Sequence, residues 1–209
     1  AITGVGHQPD WVWLKRRDGS GNHNLYDAVR GVTKYLESSA TSPEQTQQYG
    51  LTTFGTDGFT LGSNANMNGN GQSFVSWNWK AGTGQGSSNT DGSINTTYTS
   101  ANTTAGFSIS KYTGTGSSAT IGHGLGASPD VVIIKKTSAA EDWNFQTSAL
   151  GYGNYLVLNG TGASSSAGGG LVSAVSSTTV TVDSNSYVNS SGATYVMYCF
   201  AEKTGYSKF

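Results

Sequence analysis

Gly4-Val5-Gly6-His7-Gln8-Pro9-Asp10 returns 120 residues later as Gly124-Leu125-Gly126-Ala127-Ser128-Pro129-Asp130. Both glycines, the proline and the aspartate keep their places. The match continues outward. Trp11-Val12-Trp13-Leu14-Lys15-Arg16 lies over Val131-Val132-Ile133-Ile134-Lys135-Lys136, Gly31 over Gly151, and Tyr35-Leu36 over Tyr155-Leu156. With one residue inserted, Phe59-Thr60-Leu61 meets Val180-Thr181-Val182, and residues 75–80 meet 196–201. A nearly constant offset over such a length marks an internal duplication. It predicts two tandem homologous units, residues 1–82 and 106–209. Residues 83–105 between them are almost free of charge and of large apolar side chains. They read as a Gly/Ser/Thr/Asn-rich linker with one weak strand near 94–99.

Each copy of the motif runs into a short apolar stretch that ends in basic residues, which suits a buried strand emerging into water. Lys15-Arg16-Arg17 is then a solvated strand end. Asp57-Gly58 signals a hairpin, and the Asn/Gly alternation over 66–71 reads as a loop. In the closing strands, residues 73–79 and 193–200, alternation puts Trp77 with Trp79 and Tyr198 with Phe200 on one face. Leu25, Ala28, Val29, Val32, Tyr35 and Leu36 have helical spacing. Their counterparts contain Gly151 and Gly153 followed by Tyr155-Leu156-Val157-Leu158, so both segments are read as strand–turn–strand. Ser42-Pro43 predicts a short helical turn over 42–48. Phe107-Ser108-Ile109-Ser110-Lys111-Tyr112 forms a lead-in strand that the first unit lacks, while Gly205-Tyr206-Ser207 resembles the start of that strand. The sequence is therefore expected to be a window from a longer tandem array. The expected fold is all-β: two tandem homologous β-sandwich units of jelly-roll or Greek-key kind.

Composition narrows the function. Charged residues are 11% of the 209, against ~25% in ordinary globular proteins. Gly, Ser, Thr and Asn fill nearly half of the chain, yet it carries 5 Trp, 11 Tyr and 7 Phe. That aromatic content argues against disorder. A net charge of -1 offers no field for nucleic acid. No apolar run approaches the ~18–20 residues of a membrane span, so no membrane insertion is expected. Cys199 is alone, which excludes an internal disulfide and a cysteine-based zinc site. His7, His23 and His123 lack ligand spacing, so no metal and no cofactor is expected. Gly122-His123-Gly124-Leu125-Gly126-Ala127 satisfies a dinucleotide-binding pattern. The helix which that pattern needs cannot follow, because Pro129 and four β-branched residues come next. Asp18, Asp27, Glu37, Glu44, Asp57, Glu141 and Asp142 could pair for glycoside cleavage, but they read as solvated turn residues, and the chain is not expected to be an enzyme.

Binding has better support. A sugar site combines an aromatic face with amide or carboxylate groups on loops. That mixture occurs at Trp143 and Asn144, at Tyr152 and Asn154, and at His23 and Tyr26, the candidate glycan contacts. Trp11, Trp13, Trp77 and Trp79 lie on expected strands and are read as core or inter-unit packing.

Several longer motifs carry a family resemblance. They are the run from Gly4 to Arg17, Leu25-Tyr26-Asp27-Ala28-Val29-Arg30-Gly31, residues 51–62, Trp77-Asn78-Trp79-Lys80-Ala81-Gly82, Ser88-Asn89-Thr90-Asp91-Gly92-Ser93-Ile94, and Cys199 to Phe209. Together they resemble the repeat domain of tail-fibre-like virion structural proteins of marine phages, cyanophages included. The resemblance implies a structural and adhesion module on the virion surface, outside the host cell. Its expected partners are host-surface polysaccharide and other virion proteins, and its expected assembly is a homotrimer. Two other readings stay open: a capsid decoration or head-fibre protein without ligand, and a polysaccharide-degrading enzyme.

Overall fold

A computed structural model describes residues 1–166, 171–205 and 207–209. The first half contains β1 (Ile2–Thr3), β2 (Trp11–Arg16), β3 (Asn24–Asp27), β4 (Lys34–Glu37), β5 (Gln45–Thr46), β6 (Leu51–Gly55), β7 (Gly58–Leu61), the one-turn helix α1 (Ala65–Asn68) and β8 (Phe74–Trp79). The second contains β9 (Tyr98–Asn102), β10 (Phe107–Thr113), β11 (Ala119–Gly122), β12 (Val131–Lys136), β13 (Asn144–Thr147), β14 (Asn154–Val157), β15 (Ser165–Ser166), β16 (Val172–Val175), β17 (Thr179–Val182), the one-turn helix α2 (Ser186–Asn189) and β18 (Thr194–Phe200). The fold is nearly all β and sandwich-like, and every strand pairing within the sheets is antiparallel.

Four sheets form the layers. A small sheet, β1-β7-β6, faces a five-stranded sheet, β5-β4-β3-β2-β8. A seven-stranded sheet, β15-β14-β13-β12-β18-β10-β9, faces a second small sheet, β11-β17-β16. The pairings of the two halves agree in register: Trp11 opposes Trp79 and Asp27, as Val131 opposes Phe200 and Thr147.

Strand alternation builds the three cores between these layers. Val12 and Leu14 of β2 point into the first core with Tyr26, Leu51, Phe59 and Met67. Val132 and Ile134 of β12 point into the last core with Ile121, Val180, Val182, Tyr195 and Met197. The other faces of both strands meet in the middle, where Trp11 joins Leu25, Leu36, Phe107, Val131, Ile133, Trp143 and Tyr198. The two large sheets therefore share one core.

The duplicated motif has a mechanical role. The Asp10 carboxylate accepts the backbone N–H groups of Ala81, Thr83 and Gly84 at 2.8, 3.1 and 2.7 Å. Asp130 likewise accepts the Glu202 N–H at 2.7 Å. Each aspartate pins the chain where it leaves its closing strand.

Several sequence expectations need correction. Residues 42–48 form no helical turn: Gln45 pairs with Tyr35, and the Glu44 N–H donates to the Thr137 carbonyl at 3.0 Å, which holds the backbone extended. Residues 66–71 are not wholly loop, because the Asn64 side chain caps α1 and Met67 anchors it in the first core. The 83–105 segment is tied down: it carries β9, which pairs with β10, and Ile94 bridges to Ile121. Lys15 is half-buried and not a solvated strand end, and its counterpart Lys135 is buried, its ammonium donating to the Thr41 and Lys136 carbonyls at 3.2 and 2.9 Å. Asp27 is buried as well, against Arg30. In both cases the other half of the chain covers the residue, which local sequence does not record.

Candidate functional site

Residues of both large sheets line a trough of about 540 Å³. Its walls include Trp13 and Trp79 from the five-stranded sheet and Phe107, Phe145 and Phe200 from the seven-stranded one, with Phe209 and Lys80. A neighbouring hollow over Trp13, His23, Trp77 and Trp79 shares two tryptophans with it, and another, past Ser38, Ser39, Leu158 and Asn159, shares Trp13. Trp13 belongs to all three parts. The volume falls within the ~300–1,000 Å³ usual for ligand pockets.

Pleating places these side chains. Trp13 on β2 opposes Trp77 on β8, and both leave the same face of the sheet. Their rings meet edge to face at 6.2 Å between centroids. Trp77 is 46% exposed, an unusual position for so large an apolar side chain. His23, at the start of the strand-turn-strand segment, lies edge-on to Trp13 at 5.8 Å, and the Trp13 indole N–H donates to its Nδ1 at 2.9 Å. That bond requires a bare Nδ1, so the neutral ring carries its proton on Nε2. Burial, with the nearby Lys15 charge, holds the His23 pKa below its usual value, which favours the neutral ring.

The residues expected to hold glycan are dispersed. Trp143 is fully buried in the shared core, its indole N–H donating to the Glu37 carbonyl at 2.9 Å. Asn144 and Tyr26 are buried too, Tyr26 with its hydroxyl on the Met67 sulfur. None of these three can touch a ligand, because neighbouring sheets cover them. Tyr152 and Asn154 are half-buried and engaged locally, donating to the Pro129 and Leu150 carbonyls at 2.8 and 2.9 Å. His23 alone of the six lines the trough. Sequence reading passed over Trp13, Trp77 and Trp79 because alternation on a strand is also what core residues show. What sets them apart is that, among the described residues, β8 pairs with β2 alone, and strand spacing carries no record of that.

Buried ionisable groups gather elsewhere. Asp27 accepts the Arg30 side chain, the Arg30 backbone N–H at 2.8 Å and the Tyr198 hydroxyl at 2.7 Å. Arg30 also donates to the Leu25 carbonyl at 3.0 Å and lies 3.5 Å from Glu44. This network joins the two halves, and none of its side chains is among the trough residues named above. His123 is buried and structural: Nδ1 accepts the Leu125 N–H at 3.2 Å, and Nε2 donates to the Ser176 carbonyl at 3.2 Å.

A family profile described as a domain of unknown function, DUF7483, matches residues 1–209. The chain belongs to the DUF7483 family. No curated protein and no solved structure matches it. The family description names no activity, so a function must be argued from the site.

Proposed function

We propose that this DUF7483 chain is a non-enzymatic adhesion module of a virion surface fibre that holds host-surface glycan in the Trp13–Trp77–Trp79 trough. The observation that carries the reading is the exposed Trp77 beside Trp13 and His23. Flat aromatic faces accept the C–H faces of pyranose rings. His23 and Ser39 in the neighbouring hollow, and Lys80 in the trough lining, supply polar groups for hydroxyl or acidic groups. The virion assignment rests on the sequence resemblance to phage fibre repeats and on the low charge. The matched registers of the two halves support a duplication of one Greek-key-like sandwich unit, in keeping with a repetitive fibre.

Binding of the purified chain to host envelope polysaccharide tests the reading. Wild type binds, and Trp77→Ala weakens binding about tenfold, the upper end of an aromatic contact. Tyr49→Ala, at an exposed tyrosine away from the trough lining, leaves binding unchanged. Failure to bind any envelope polysaccharide removes the adhesion role. A second reading, a rigid structural part of the particle without ligand, is favoured by the buried Asp27–Arg30–Tyr198 network that fixes one half against the other.

A further inference from the structure

The closing strands of the two halves have different neighbours. In the seven-stranded sheet, β18 lies between β12 and β10, with Ile109 of β10 opposite Tyr198 and Phe107 opposite Phe200. In the five-stranded sheet, β8 is paired with β2 alone, and among the described residues no strand lies on its outer edge. The residues that correspond in register show the consequence. Tyr198 and Val196 are buried, whereas Trp77 is exposed and Val75 only half-buried. β8 also carries none of the usual protections of an edge: it has no proline, no lysine and no bulge in its pairing with β2.

The hydrogen-bonding groups that face outward can be assigned. Arg17 N–H donates to the Ser73 carbonyl at 2.8 Å, and the register runs Arg16 to Phe74, Lys15 to Val75 and Trp13 to Trp77. In an antiparallel ladder the direction alternates, so Val75 and Trp77 bond towards β2 while Phe74, Ser76 and Asn78 point their N–H and C=O groups away from it.

We propose that the outer edge of β8 is an acceptor for a partner peptide strand of β10's chemistry, added antiparallel. Its apolar residues would alternate as Phe107 and Ile109 do, lying beside Trp79 and Trp77. The β10–β18 pairing supplies the template: the same fold already completes the equivalent edge in this way. Strand addition draws affinity from main-chain hydrogen bonds and selectivity from alternate side chains. The inference rests on the pairing geometry, not on the glycan reading, and a strand added beside Trp77 and Trp79 competes with glycan for those rings.

The test is titration of the whole chain with a synthetic peptide copying residues 105–115, followed by residue-resolved amide hydrogen exchange. Exchange at Phe74, Ser76 and Asn78 slows about tenfold or more. A peptide N-methylated at Ser108 and Ser110, which has the same side chains but lacks two ladder donors, gives no protection. Ser76→Pro removes one outward N–H, which an edge strand tolerates, and abolishes the effect. If that variant misfolds, the N-methylated peptide decides. Three results would overturn the proposal: no protection at about 1 mM peptide, which places any affinity outside the useful range; protection at residues 195–199 in place of 74–78; or concentration-dependent dimerisation through β8 that the peptide does not displace.

Discussion

Asp27 sits where water does not reach, and its charge is answered by Arg30 and by the Tyr198 hydroxyl of the other half. Removing one member of such a pair costs more than the pair contributes, because the remaining charge stays buried. Arg30→Met should therefore destabilise the protein by about 3–5 kcal/mol. Tyr198→Phe removes one hydrogen bond to a charged group and should cost about 1.5–3 kcal/mol. Denaturant midpoints measure both. Lys135 gives a pH signature. Burial brings its amine down to about 8 from the ordinary 10.5, with Glu141 and Asp142 opposing the shift. Between those values the unfolded chain binds more protons than the folded one, so this residue makes stability rise with pH. Unfolding curves at pH 7.5 to 10.5 should show wild type gaining on Lys135→Met across that window. Neither residue could be read correctly from its neighbours. Asp27 stands in a turn-like Tyr-Asp-Ala, and Lys135 ends an apolar run like its half-buried counterpart Lys15. What distinguishes them is cover from the other half of the chain, and local pattern carries no record of that.

Elements were legible where a single face decides them. β2, β12 and β18 alternate between two cores, and alternation is visible in sequence. Short helices were not. One turn of α1 depends on an Asn64 cap and on Met67 reaching the first core, both hidden within an Asn/Gly-rich stretch. The candidate site was missed for a similar reason: Trp77 has core spacing on a strand whose covering neighbour is missing from its sheet. The β6–β7 hairpin allows an element-scale prediction. Gly58 has φ of 149°, and a Cβ there would collide with the Ile2 carbonyl across the β1–β7 pairing. Gly58→Ala should detach β1 first. Faster amide exchange at Thr3 and Phe59, with β12 and β18 unchanged, would show it.

At the scale of the molecule, the shared middle core makes the halves interdependent. Trp11 of the first half stacks on Tyr198 of the second at 4.5 Å, and the Trp143 indole bonds to the Glu37 carbonyl. Truncating Trp143 to alanine should cost about 3–5 kcal/mol and should lower the unfolding midpoint of both halves together. Tryptophan fluorescence, dominated by the first half's four indoles, and amide exchange in β18 would report coincident transitions. Separate midpoints would show that the two halves are merely adjacent.

Cys199, the single cysteine, lies fully buried in β18, between β12 and β10, and burial pushes its thiol well above the usual range. A protonated, enclosed thiol is inert to alkylating reagents until the strands around it part. The chain thus contains its own clock: under excess reagent, the rate of labelling counts openings of the central ladder one molecule at a time, without any introduced probe.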